Sequence, residues 1–484
     1  MARDEEPPES ASEGDVVRAF TILLMFSIAI AATAQQPTAV EIEKKQDPGD
    51  EIGKLKKNCL FQHVIGCLEV LFTGEPLHVA VGSIAPQNGF GAGVAYVGHT
   101  TPSEDWRITW NADAIGSVNG SWRAGMYWKF VDTKLPDIGI QRGTKGKKKS
   151  NPHGLPEQPV INLYAQAISL NKLTYFGLGP NTSRSGRTFF GMTETIVGAS
   201  GVKPFRKLST MALYGEINGR FVNIRPSTGQ SSPSIEGLYS DATAPGLRDQ
   251  PGFAQFGEGL RFWPSYKSRL LLNYDLGYRQ FIAVGSNFSF QRLTFDLNHE
   301  FRIHRTTPRM TGDPNTNGPD NCSLNPADRN PRCPPVQLAS NLEGSVNVRA
   351  FTSLSMTPNG NRVPFYFQPT LGGADINGTP SLSSYEDYRF RAPEILVLQE
   401  QFEHSVGKWP IGFLLSADQG KVALVRGDLG SNHWVHSFGT GLTLRAGGFP
   451  QVYLLFCWGG NEGTHTIANI NNSLLGGASR PSLF

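Results

Sequence analysis

Leu270–Arg279 reads LLLNYDLGYR, and Arg292–Ile303 reads RLTFDLNHEFRI. In the first, Leu270, Leu272, Tyr274, Leu276 and Tyr278 alternate with Asn273, Asp275, Gly277 and Arg279. In the second, Leu293, Phe295, Leu297, Phe301 and Ile303 alternate with Arg292, Thr294, Asp296, Asn298, Glu300 and Arg302. Side chains of a strand point to opposite faces in turn, so each segment is a strand with one apolar, aromatic-rich face and one charged face. Trp106–Ala114 and Trp122–Phe130 repeat the pattern, with Trp110 and Trp128 in the apolar phase and Asp113, Arg123 and Lys129 in the other. A soluble sandwich also alternates, but on shorter strands. Runs of about ten residues suit a tilted strand crossing a bilayer. Lipid cannot satisfy an open sheet edge, so such strands imply a closed barrel.

The sequence predicts an all-β fold, a sixteen-stranded antiparallel transmembrane β-barrel spanning 89–484. Strands are expected near 90–98, 105–116, 120–131, 159–168, 172–178, 187–199, 206–224, 252–263, 267–281, 289–303, 341–354, 394–404, 410–419, 434–446, 450–458 and 464–475. The count is even, as bacterial barrels require. By parity the long connections Asp132–Gln158, Arg225–Pro251 and Ser355–Pro393 lie outside, while His304–Ala339 falls on the periplasmic side. The closing strand, Thr464–Leu475, is expected to pair with Gly89–Val97. That junction is poor in bulky cross-strand pairs and should be a weak edge.

The remaining features set the compartment. Ala19–Ala34 (AFTILLMFSIAIAATA) ends in Ala32-Thr33-Ala34, the apolar core and small-residue cleavage site of a signal peptide. The residues ahead of it are acidic, at Asp4, Glu5, Glu6, Glu9, Glu13 and Asp15, where such a segment should be basic, so the true start is expected near Val16 or Val17. Residues 35–88 form a periplasmic linker and short N-terminal segment. Of five cysteines, Cys59 and Cys67 make one local pair and Cys322 and Cys333 another, with Cys457 left over. Export favours two disulfides over zinc, whose spacings these are not. A net charge of +3 over 484 residues argues against a nucleic-acid binder.

Val363–Glu403 reads VPFYFQPTLGGADINGTPSLSSYEDYRFRAPEILVLQEQFE. Within it stand Pro364-Phe365-Tyr366, Leu371-Gly372-Gly373, Leu382-Ser383-Ser384-Tyr385 and Arg389-Phe390, between expected strands eleven and twelve. This order resembles the in-folded loop of the BamA/TamA family of outer-membrane assembly barrels, the bacterial surface-antigen superfamily. Tyr175–Asn181 (YFGLGPN) also looks like a loop of that family. The resemblance covers the chain from Gly89 onward and implies sixteen strands with a loop folded into the lumen. Ser383 stands where the family has its tip Arg, and Gln401-Phe402-Glu403 where it has Glu-Tyr-Arg. The expected loop therefore lacks the family's guanidinium clamp and is either held by hydroxyl bonds or mobile. No POTRA domain is expected ahead of the barrel, since 35–88 is too short for one.

The resemblance implies a non-enzymatic barrel of the outer membrane of a Gram-negative-type bacterium. It would assist insertion or passage of a macromolecule, with outer-membrane lipid, lipopolysaccharide and a periplasmic POTRA protein or secreted client as partners. A porin-like channel plugged by the loop is the alternative, and an outer-membrane hydrolase a third reading. Against the third, His99, His299, His404, His436 and His465 are scattered, with no motif joining one to a Ser or Asp. No metal or cofactor is expected. The run Arg142, Lys145, Lys147, Lys148 and Lys149 is either a solvated loop or an anion contact in an external loop.

Overall fold

The computed structural model describes residues 77–483 apart from 104, 134–158, 206–207, 228–230, 267–268, 311–335, 408, 410, 447–448, 461 and 471–480. The expected signal segment, both local cysteine pairs (Cys59 with Cys67, Cys322 with Cys333) and the basic run at 142–149 lie outside the described residues. Among the described residues, no helix is long and apolar enough to cross a membrane.

Among the described residues, sixteen long strands form one antiparallel sheet, each paired with the next in chain order, with the two-residue strand Ser265–Tyr266 beside Leu270-Leu271. They are β1 (Leu77–Ser83), β2 (Phe90–Ser103), β3 (Trp106–Ser117), β4 (Trp122–Asp132), β5 (Val160–Tyr175), β6 (Thr188–Phe205), β7 (Leu208–Pro226) and β8 (Phe253–Phe262). There follow β9 (Leu270–Ala283), β10 (Phe290–Met310), β11 (Val336–Met356), β12 (Glu394–Ser405), β13 (Ile411–Ala423), β14 (Val435–Ala446), β15 (Phe449–Trp458) and β16 (Thr464–Ile470). Among the described residues, ladder registers run from β1 to β16 without a break, and none joins β16 back to β1.

The alternation in the sequence becomes the two faces of this sheet. Met126, Ile217, Phe256, Phe295, Leu415 and Leu442 are exposed on one face, an apolar belt suited to lipid rather than water. On the other face Arg123, Arg220 and Arg292 are buried. There Arg349 pairs with Asp296 across β11 and β10 at 2.7 Å, and Arg279 with Glu216 across β9 and β7 at 2.6 Å.

The count of sixteen arises differently from the expected one. Residues 160–175 are one strand, not two. Leu170 faces Met192 and Leu173 faces Phe190, so β5 carries one extra residue at Asn171-Lys172. A bulge leaves backbone groups unpaired in the ladder. Neighbouring turns supply the partners: Ser121 Oγ accepts from Asn171 N at 3.0 Å, and Asn88 Oδ1 accepts from Lys172 N at 3.0 Å. The two polar residues read as a turn in sequence.

The missing strand is β1, which the sequence reading leaves in the linker. Leu77–Ser83 pairs residue for residue with Phe90–Tyr96, from Leu77 opposite Tyr96 to Ser83 opposite Phe90. The expected pairing of Gly89–Val97 with the last strand is therefore corrected, because β1 occupies that edge.

Moving a strand boundary also moves the loops. Residues 133–159 join β4 to β5 and so meet the sheet at the end opposite to 227–252 and 357–393. The expectation that all three connections share one side is overturned. The connection between β10 and β11 stays opposite to 357–393, as expected.

Candidate functional site

Residues 357–393, between β11 and β12, lie against the inner face. The neck is closed by a two-residue ladder, Thr370–Leu371 with Phe390–Arg391. Before it, a 3-10 turn at Phe365–Phe367 buries three consecutive rings, 0–1% exposed. Phe365 packs edge-on against Tyr175 and Phe190, with ring centroids 5.2 Å away in each case. Phe367 packs edge-on against Phe253 at 4.9 Å. Such pairs add about 1 kcal/mol each beyond the area they bury. Pro364 sets the start of this turn and is its N-cap residue.

Two buried guanidinium groups tie the turn to its surroundings. Arg391 donates to Phe365 O at 2.8 Å, and Arg292 of β10 donates to Phe367 O. Burial pulls the Arg391 guanidinium down to about 10, so it stays charged at neutral pH.

The Leu371-Gly372-Gly373 motif has a local physical cause. Gly372 and Gly373 have φ of +105° and +58°, a region that side chains disfavour. A Cβ on Gly372 would lie 2.6 Å from Arg389 Cβ, and one on Gly373 would collide with Asp387. The two glycines let the outgoing limb of the loop close onto the incoming one.

The tip is held by hydroxyls and backbone. Asp418 of β13 accepts from Gln399 Nε2 at 3.2 Å, and its carboxyl lies beside the backbone of Leu382 and Ser383. Ser384 N donates to Ser437 Oγ of β14 at 2.8 Å. Leu382 adopts φ +48° at this point. Leu371, Leu382, Tyr385 and Phe390 form a small apolar cluster with Ile395, Val397 and Val422 of β12 and β13.

The following residues fasten the loop to three separate turns. Glu386 pairs with Arg184 at 2.7 Å and Arg187 at 3.2 Å, in the β5–β6 connection. Tyr388 OH donates to Pro86 O, in the β1–β2 turn, at 3.1 Å. Arg389 Nε donates to both Glu462 oxygens, in the β15–β16 turn, at 2.7 and 2.8 Å. The same guanidinium donates to Thr182 Oγ1 at 2.7 Å and Thr182 O at 2.8 Å, and lies over the Phe176 and Phe390 rings at 4.9 and 4.6 Å. A forked, planar cation meets this many partners at fixed angles where an ammonium could not.

The loop is therefore clamped by an arginine six residues beyond the position where the family pattern puts one. The sequence marks Arg389 through Arg389-Phe390 but carries no sign of its partners. Glu462, Thr182 and Asp418 carry no local signal, because they meet the loop only through long-range folding. Of the scattered histidines, His299 meets Tyr274 OH at 2.7 Å and His404 meets its neighbour's carbonyl at 2.7 Å. Cys457 is buried and free. Beside the loop, the inner face encloses a cavity of about 1290 Å³.

A sixteen-stranded antiparallel sheet, apolar outside and charged inside, with a loop packed on its inner face, defines a transmembrane β-barrel. Solved structures similar in fold include CdiB from Acinetobacter baumannii, 11% identical with TM-score 0.41, and BamA from Haemophilus ducreyi lacking POTRA domains 1–3, 7% identical with TM-score 0.46. CdiB from Escherichia coli is 11% identical with TM-score 0.44. Each alignment covers 81% of this chain, and 58%, 70% and 61% of those chains respectively. The chain thus spans less than two thirds of either CdiB. No family model and no curated protein matches.

Proposed function

We propose that this chain is a non-enzymatic outer-membrane barrel that assists the insertion or passage of a macromolecule. Lipid and lipopolysaccharide would surround it, and its partner would be a secreted or membrane-inserted client, delivered directly or by a periplasmic POTRA protein. The observation that carries the reading is the stretch Tyr385–Arg389. It ties the first hairpin, through Pro86, to the last, through Glu462. A simple pore gains nothing from fastening its two terminal hairpins to a movable loop, whereas a barrel that parts between them needs a releasable tie there.

The test is a cysteine pair across β1 and β16, one at Val81 and one at Ile467. Oxidation should reduce the amount of specific proteins in the outer-membrane or secreted fractions, and reductant should restore them. Unchanged fractions with the pair fully oxidised would sink the reading. The charged inner face and the 1290 Å³ cavity favour a second reading, a channel for small solutes. That reading expects steady single-channel conductance unaffected by the cross-link.

A further inference from the structure

Residues 481–483 lie on the inner face, against β7 and the in-folded loop. Leu483 is 6% exposed and belongs to the apolar cluster that contains Phe365, Ile376 and Tyr388. Its backbone N–H donates to Asn377 Oδ1, on the in-folded loop, at 2.8 Å. The Ser482 carbonyl accepts from Arg220 Nη2, on β7, at 2.8 Å. Pro481, Ser482 and Leu483 all line the 1290 Å³ cavity.

Arg220 explains why a peptide belongs there. Its side chain is 2% exposed. Nη1 meets Glu194 at 2.8 Å, and Nε meets Asn218 Oδ1 at 3.1 Å and Gln255 Oε1. The remaining nitrogen is satisfied by the Ser482 carbonyl. A buried guanidinium left without that acceptor loses a charge-assisted hydrogen bond that the wall does not replace. The loop contributes the complementary group, an amide oxygen that accepts one backbone N–H. One donor, one acceptor and an apolar pocket form a site that reads main chain and a single aliphatic side chain.

We propose that the inner face carries a peptide-binding site, built by Arg220, Asn377 and the apolar cluster around Ile376. Its ligand class is an extended peptide bearing a leucine-like side chain. The chain's own Pro481-Ser482-Leu483 fills it and acts as an internal plug that bridges wall and loop. The inference concerns what occupies the lumen and does not depend on any opening between β1 and β16.

Planar-bilayer conductance tests it with two proteins, the full chain and a variant lacking 481–484. Removal should raise conductance several-fold. A synthetic peptide of residues 479–484 should return the shortened protein to the starting level, and a scrambled peptide should not. Equal conductance with and without the segment, or equal block by the scrambled peptide, overturns the proposal. Should the shortened protein not fold, the pair Asn377→Cys with Leu483→Cys decides. Oxidation should join the two residues, identified by mass spectrometry, and hold conductance at the low level. No cross-link between them overturns the proposal.

Discussion

Tyr388 and Arg389 are adjacent in sequence yet fasten to the first and last hairpins of the sixteen-strand sheet, at its two edges. The tyrosine hydroxyl reaches Pro86 in the first hairpin, and the guanidinium grips Glu462 in the last. Tyr388 has φ +61°, a conformation that costs about 1–2 kcal/mol for a residue with a side chain. Held there, the two successive side chains diverge toward their separate partners.

The Arg389–Glu462 pair has side chains only 3% and 15% exposed. Removing one partner strands the other in a poorly solvated place. Arg389→Ala and Glu462→Ala should each destabilise the folded barrel by roughly 3–5 kcal/mol. The double variant should lose much less than the sum. Urea unfolding in detergent, followed by gel shift, measures this. Strict additivity would show that the two side chains are not coupled.

Gly373→Val should release the loop neck, since the backbone there has φ +58° and no room for a Cβ. The expected readout is protease cleavage within 370–391 of a barrel whose strands still resist. Cleavage no faster than in the parent protein would contradict the close approach of the two limbs.

Asp387 provides a pH signature. Burial pushes its carboxyl above the ordinary range, against the hydrogen bond from Ala374 N–H at 2.9 Å. A carboxyl raised in the folded state costs stability where it is ionised, and that cost vanishes as pH falls below the ordinary Asp value of about 4. Asp387→Asn should therefore raise the unfolding temperature at pH 7.5 and change it little at pH 4. A variant less stable than the parent at pH 7.5 would reverse the sign.

The two faces should respond differently to charge. Phe295→Arg or Leu442→Arg, on the exposed apolar face, should cost roughly 2–4 kcal/mol in a lipid bilayer. Asn273→Ser, in the inward phase, should be close to neutral. Equal costs on both phases would contradict the barrel.

The loop ends are open to labelling. Lys147→Cys and Ser431→Cys sit in connections that belong to opposite ends of the sheet. A membrane-impermeant maleimide applied to intact cells should modify one and spare the other. Modification of both would contradict the strand count.

The strands with strict alternation, such as β9 and β10, were legible because aromatic and charged residues occupy opposite phases throughout. β1 was not, since Leu77–Ser83 (LHVAVGS) is short and small side chains dilute its period. The loop was legible through Gly372-Gly373 and Pro364-Phe365, where the backbone itself demands the residue type. Its clamp was not, because Thr182 and Glu462 approach Arg389 from connections distant in sequence and obey no spacing rule.

The bulge at Asn171-Lys172 sets a frame. Before it, even-numbered Tyr164, Ile168 and Leu170 of β5 join the inner apolar cluster; after it, odd-numbered Leu173 and Tyr175 do. One residue switches which parity faces inward. Plain alternation along the present chain would turn Tyr175 toward lipid, taking away the ring against which Phe365 packs, whereas deleting Asn171 would heal the bulge and keep Leu170, Leu173 and Tyr175 on one face. The bulge, by keeping Leu173 and Tyr175 on the inner face, is what leaves the loop a wall to dock on.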